Sequence, residues 1–84
     1  MFINKSKDGK NNICGEQITK FRKNMKLSQK KFADLMQLHG LDIDKNAIQR
    51  IESGKRFVTD IELLTFSVVF NIDINELLIK NINH

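Results

Sequence analysis

The chain has 84 residues, a single cysteine, no proline and a formal net charge of +4. A chain of this length forms one small domain, which buries only about 60% of the surface that its unfolded form exposes. No apolar run approaches the roughly 18 residues that span a membrane, and one cysteine excludes an internal disulfide, so we expect a mainly helical protein of the reducing cytoplasm.

Residues 1–12 are polar, rich in Lys and Asn, and without hydrophobic periodicity, which predicts a flexible basic arm. This arm belongs to a basic half of the chain, because residues 1–31 carry nine Lys or Arg side chains against two acidic ones. Such a half favours a polyanionic partner, although ordinary solvated surfaces show similar asymmetry. Whether the arm contacts DNA or only promotes solubility is left open, and solubility is favoured.

The first helix is predicted by apolar residues that recur every three or four positions, namely Cys14, Ile18, Phe21 and Met25. It should begin near Gly15. Cys14 is interpreted as a small core residue rather than a reactive thiol. Arg22 lies beside the apolar row, so its guanidinium should lie close to the core and need a partner.

The second helix has a favourable N-cap in Ser28 and a natural end at Gly40. Its inner side is formed by Phe32, Leu35 and Met36. His39 continues this row. We interpret it as a packed or half-exposed residue rather than a metal ligand, because the only other histidine is the terminal His84.

The third helix should begin after Asp44, which is placed to act as its N-cap, and end at Gly54. Its inward side is narrow and consists of Ala47, Ile48 and Ile51. Its outward side is polar and consists of Lys45, Asn46, Gln49, Arg50 and Ser53. A helix held by a narrow apolar side with hydrogen-bonding residues outward is suited to the major groove of DNA.

The fourth helix is opened by a capping box of Thr59 and Glu62. One apolar row consists of Leu63, Phe66, Ser67 and Phe70, and a second consists of Ile61, Leu64 and Val68. A helix that is apolar on two sides is expected to be buried on both. Asn71 should end it in the left-handed conformation.

The fifth helix should be set up by Asp73 and Glu76 and anchored by Leu77 and Leu78. Ile79 and Ile82 are left over to face a partner. The folded domain is expected to span residues 13–80, followed by a tail of residues 81–84.

Residues 13–78 resemble the lambda-repressor/Cro class of helix-turn-helix domains, the XRE-like family. The resemblance is carried by Arg22, Leu27-Ser28-Gln29, Phe32-Ala33, Ile48 to Arg56 and Asn71 to Leu78. It implies an all-α, five-helix DNA-binding domain. Gln29 and Lys45 lie farther apart than in the compact family arrangement, so helix two and the connector before the recognition helix should be elongated.

The resemblance implies DNA-binding roles for Ser28, Gln29, Lys45, Asn46, Gln49, Arg50, Ser53, Lys55 and Arg56. Lys45, Asn46 and Arg50 would reach base edges, which agrees with the preference of Lys and Arg for guanine and of Asn for adenine. Gln29 would bond a phosphate and brace the neighbouring recognition residue.

Lys55 and Arg56 would hold the phosphate strand. Arg22 and Glu52 would form a supporting arginine–glutamate pair that orients the arginine toward a phosphate. The alternative interpretation of the outward row is an ordinary solvated helix face.

We therefore predict a sequence-specific regulator of transcription, of bacterial or phage origin, that binds double-stranded DNA as a homodimer and acts as a repressor. A regulatory protein partner is left open. The alternative is an interaction module, such as an antitoxin or adaptor for a partner protein. Catalysis is not expected, because no Cys/His pair, Gly-rich phosphate loop or acid/base pair stands out. No cofactor, metal or membrane is implied.

Overall fold

A computed structural model describes Lys5 and residues 8–79, and this part of the chain contains five helices and no strand. The helices are α1 (Gly15–Asn24), α2 (Gln29–Leu38), α3 (Lys45–Glu52), α4 (Asp60–Phe70) and α5 (Asn75–Leu78). The predicted all-α, five-helix fold is confirmed. None of the described helices is long and apolar enough to cross a membrane. The predicted tail, with Ile82 and His84, lies outside the described residues.

Side-chain caps begin three helices where the sequence predicted them. Ser28 Oγ accepts a hydrogen bond from the amide three residues on at 3.1 Å, and Asp44 Oδ1 does the same at 2.8 Å. The capping box of Thr59 and Glu62 is complete, with reciprocal bonds of 3.0 and 3.2 Å. These bonds satisfy amides that have no partner within the helix, and they thereby fix the first turns of α2, α3 and α4.

The connection between α2 and α3 is ordered. Helix α2 has ten residues and ends where Gly40 adopts a φ of +84°. In the connector that follows, Ile43 is buried and its carbonyl accepts a bond from Gln37 Nε2 at 3.0 Å. The elongation before α3 is therefore part of the packed fold. His39 follows the last residue of α2 and is exposed rather than packed in the core, and its Nδ1 lies 3.0 Å from the Leu35 carbonyl.

The core lies where α1, α2, α3 and α4 meet. The ring of Phe32 stacks on those of Phe66 and Phe70, with centroid distances of 5.9 and 5.2 Å, and this joins α2 to α4. Cys14 is only 2% exposed, and burial raises the pKa of its thiol to about 11. Cys14 is therefore the packed core residue that the sequence predicted. A thiol with this pKa stays protonated near neutral pH and is a weak nucleophile.

Helix α4 is buried on one side only. Ile61, Leu64 and Val68 are 69%, 58% and 61% exposed, whereas Phe66 and Ser67 are buried. The prediction of burial on both sides is wrong for the single chain, because no described element packs against the row Ile61, Leu64 and Val68.

The chain reverses after α4 as predicted. Asn71 adopts a φ of +56° in the left-handed region. Asp73 Oδ1 then accepts from the Asn75 amide at 2.9 Å, and Glu76 accepts from the Asp73 amide at 3.3 Å, which together start α5. Leu77 is fully buried and anchors this short helix.

The end of the predicted arm is attached to the folded domain. The Asn11 amide donates to the Gly54 carbonyl at 2.8 Å, and Asn12 Nδ2 donates to the Ile51 carbonyl at 3.0 Å. Asn11 and Asn12 therefore differ from the flexible arm predicted over residues 1–12, because both are bonded to the end of α3. Residues 1–4, 6 and 7 lie outside the described residues.

Candidate nucleic-acid interface

Helix α3 presents one apolar and one polar side. Ile48 and Ile51 are fully buried and hold the helix against the core. The opposite side is exposed, and it consists of Lys45, Asn46, Gln49 and Arg50. No described part of the chain covers these four side chains, so they are free to contact a ligand.

A buried polar cluster supports α3 from behind. Arg22 donates to both carboxylate oxygens of Glu52, at 2.6 Å from Nε and 3.1 Å from Nη2, and to the Leu27 carbonyl at 2.7 Å. The two side chains are only 10% and 7% exposed. Glu52 also accepts from Gln29 Nε2 at 2.9 Å. The predicted pair is thus present and links α3 to α1, while Gln29 links α3 to α2.

The side-chain donors of Gln29 and Arg22 bond to acceptors inside the domain. Gln29 Nε2 donates to Glu52 and so joins α2 to the last turn of α3, while bracing of a recognition residue and phosphate binding by Gln29 stay predictions. Arg22 is directed at a carboxylate and a backbone carbonyl, and its guanidinium is almost entirely covered. The contact of Arg22 with a phosphate likewise stays a prediction.

Arg56 makes an ion pair that the sequence reasoning missed. Its Nη1 and Nη2 donate to Oε1 and Oε2 of Glu62, both at 2.9 Å, and Nη1 also donates to the Phe57 carbonyl at 3.1 Å. This bidentate pair fastens the segment after α3 to the first turn of α4. A phosphate contact by Arg56 would have to share a guanidinium whose charge is already compensated.

The same pair changes the pKa of Glu62. Burial pushes this pKa upward, but hydrogen bonds from Arg56 and from the Thr59 amide outweigh burial, so the pKa lies below its ordinary value. A carboxylate with a lowered folded-state pKa stabilises the fold above its unfolded pKa of about 4.3, and this contribution is lost as the pH falls through the lower folded pKa.

We therefore expect Glu62→Gln to destabilise the protein at pH 7 and to have a progressively smaller effect as the pH is lowered below about 4. Urea unfolding of both proteins between pH 7 and pH 3 measures the difference in unfolding free energy. A difference that stays constant over this range would show that the charge of Glu62 contributes nothing to stability.

The remaining predicted residues lie at helix ends. Ser28 is the exposed N-cap of α2, and Ser53 is the exposed residue after α3, where its Oγ donates to the Arg50 carbonyl at 3.1 Å. Lys55 is exposed just beyond, and its backbone amide donates to the same carbonyl at 2.8 Å. Ser53 and Lys55 are therefore both exposed close to the C-terminal end of α3.

One further cation lies beside the predicted site. Lys30 of α2 lines a groove of about 310 Å³ together with Lys45 and Asn46, and its Nζ pairs with Asp34 at 2.7 Å. Sequence reasoning missed Lys30 because its place depends on how α2 packs against α3. The only signal in the sequence was its membership of the basic half.

The comparisons with known proteins agree with this geometry. Residues 18–77 match the family described as helix-turn-helix (HTH_3). A solved structure, the restriction-modification controller protein C.AhdI from Aeromonas hydrophila, is similar with a TM-score of 0.64 and 28% sequence identity, over 76% of this chain and 86% of that one. No curated protein matches the chain.

Proposed function

Because the chain belongs to the XRE-like helix-turn-helix family of DNA-binding transcriptional regulators, we propose that it represses transcription by binding an operator through helix α3. The observation that carries this proposal is the exposed polar side of α3, backed by buried isoleucines and by the Arg22–Glu52 pair. We place this activity in the cytoplasm and propose that the protein is of bacterial or phage origin.

Base recognition is assigned to three side chains of α3. Arg50 and Lys45 can donate to guanine O6 and N7, and Asn46 can pair with adenine N6 and N7. Gln49 and Ser53 lie on the same side and can reach bases or the sugar-phosphate backbone. Contacts of this kind carry sequence preference, whereas contacts to phosphate set the register.

Phosphate binding is assigned to Lys55, Ser28, Gln29 and Arg56. Gln29 and Arg56 also hydrogen-bond to Glu52 and Glu62 within the domain. About six phosphate contacts in the complete assembly would make log K fall against log salt concentration with a slope of about −5. This salt dependence distinguishes DNA binding from a protein-interaction role.

A homodimer is supported by the exposed apolar row of α4. Ile61, Leu64 and Val68 recur at helical spacing, and monomeric domains rarely expose a large contiguous apolar patch unless it has a function. Two copies related by a two-fold axis would bind half-sites about 10 bp apart from centre to centre.

Replacing Arg50 with Ala tests base recognition. We expect binding to a duplex enriched from a random pool to weaken by about 1–3 kcal/mol, with relaxed preference at one base pair, because a bidentate base contact is lost. Quantitative binding with all single-base variants of that duplex measures both effects. Uniform weakening on every variant would contradict the assignment.

Lys55→Ala is the matched comparison, because it also removes one exposed cation, at a position just after α3. It should weaken binding to all duplexes alike and, since each copy of the dimer loses one phosphate contact, reduce the magnitude of the salt slope by about 2. An altered base preference in this variant would show that Lys55 recognises bases.

The alternative function is an antitoxin or adaptor that binds a partner protein. A gel shift with random duplex DNA separates the two functions, since an adaptor without DNA binding gives no salt-sensitive complex. The basic half of the chain favours the regulator.

A further inference from the structure

Asn12 bridges three main-chain groups that belong to separate parts of the fold. Its Nδ2 donates to the Ile51 carbonyl at 3.0 Å and to the Arg56 carbonyl at 2.8 Å, while its Oδ1 accepts from the Gly15 amide at 2.8 Å. One carboxamide thus joins the last turn of α3, the segment after it and the first turn of α1. Asn12 lies before residues 18–77, so the family match does not include it.

The neighbouring residues bring the same parts of the chain into close contact. Asn11 Nδ2 donates to the Lys55 carbonyl at 2.9 Å. A Cβ atom at Gly15 would overlap the Ile51 carbonyl oxygen, and a Cβ at Gly54, where φ is +81°, would overlap the methylenes of Lys10. Glycine at positions 15 and 54 therefore allows the N-terminal segment to approach the end of α3 this closely.

These contacts add to the buried Ile51 and the Glu52 hydrogen bonds that fix the C-terminal end of α3. Helix α3 has eight residues, too few to be stable alone, and its apolar side is narrow. The buried Arg22–Glu52 pair holds one side of its last turn, and Asn12 holds the carbonyl end. Arg50, which we assign to a base edge, is adjacent to the Ile51 carbonyl that Asn12 binds.

We propose that Asn12 is a positioning residue for the recognition helix, which sets the direction of α3 so that its side chains meet the operator bases. Asn12 itself makes no contact with DNA in this proposal. The inference rests on the proposed function and adds to it a residue on which operator discrimination depends.

A positioning role and a merely structural role have different consequences. Loss of folded protein lowers the apparent affinity for every duplex by the same factor, because only the binding-competent fraction contributes. A misdirected α3 instead weakens base contacts, which need defined geometry, and leaves the phosphate attraction that dominates nonspecific binding. The ratio of operator affinity to nonspecific affinity therefore separates the two roles.

Asn12→Asp is the informative variant. Its carboxylate keeps an acceptor for the Gly15 amide but loses both donors and places negative charge against the carbonyls of Ile51 and Arg56. Asn12→Ala removes all three bonds without adding charge. Asn75→Asp is the matched control, because it makes the same charge change at an exposed side chain on α5.

The probes are a duplex that the wild-type chain enriches from a random pool and a shuffled duplex of the same composition. We expect both Asn12 variants to bind the enriched duplex about tenfold more weakly than wild type, which corresponds to about 1.4 kcal/mol. Their affinity for the shuffled duplex should stay within about twofold of the wild-type affinity. Asn75→Asp should match wild type on both duplexes. If the Asn12 variants do not fold, Asn11→Ala, which removes the bond to Lys55, should lower the same ratio by a smaller factor.

An unchanged affinity ratio in the folded variants would overturn the positioning role while leaving the proposed function intact. Failure of the wild-type chain to enrich any duplex would overturn the proposed function and this inference together.

Discussion

We expect Glu52→Ala to lower the free energy of unfolding by about 3–5 kcal/mol, because it leaves the charge of Arg22 buried without a partner. Gln29 would lose its acceptor as well, since Arg22 and Gln29 both donate to the Glu52 carboxylate. A domain of this size has a total stability of about 5–15 kcal/mol, so the loss is a large part of it. Urea unfolding followed by circular dichroism measures this change.

Asp34→Ala is the control for this experiment. It breaks the pair of Asp34 with Lys30, whose two side chains are 51% and 66% exposed, so we expect a loss below about 0.5 kcal/mol. Equal losses in the two variants would mean that burial of the Arg22–Glu52 pair has no consequence for stability. DNA binding by Asp34→Ala should persist, since Lys30 keeps its charge beside Lys45.

The second large effect is expected from Leu64→Glu, in the middle of the exposed row on α4. A charge there would prevent two copies from burying this row against each other, because a buried unpaired carboxylate is strongly unfavourable. Loss of the dimer should weaken operator binding by on the order of 10²-fold, since the second half-site would no longer be bound intramolecularly. Analytical ultracentrifugation and operator titration test the two steps separately.

Leu38→Glu is the matched control, because Leu38 is 83% exposed and belongs to α2 rather than to the α4 row. It should leave the dimer and the free energy of unfolding nearly unchanged. A dimeric Leu64→Glu protein with normal operator affinity would refute the assignment of α4 as the dimer surface.

Local signals made most of the fold predictable from the sequence. Ser28, Asp44 and Thr59 cap the helices that follow them, and each signal lies within a few residues of its effect. The Arg22–Glu52 pair was also predictable, although thirty positions separate its members, because the family resemblance supplied the long-range contact.

Two polar contacts were not predictable for physical reasons. The bonds of Asn12 join positions 39 and 44 residues apart, and an asparagine in a polar segment carries no periodic signal of such a partner. The Arg56–Glu62 pair depends on the path of the segment between α3 and α4, which composition does not specify. Both contacts involve Arg56, in the segment between α3 and α4.

The buried thiol of Cys14 is a built-in chemical probe of local opening of the fold. Its sulfur lies 3.9 Å from the Oδ1 atom of Asn12, and it is the only cysteine in the chain. The thiol is covered in the closed fold, so an alkylating reagent can reach it only when the structure around the start of α1 opens. The labelling rate therefore measures how often this part of the fold opens.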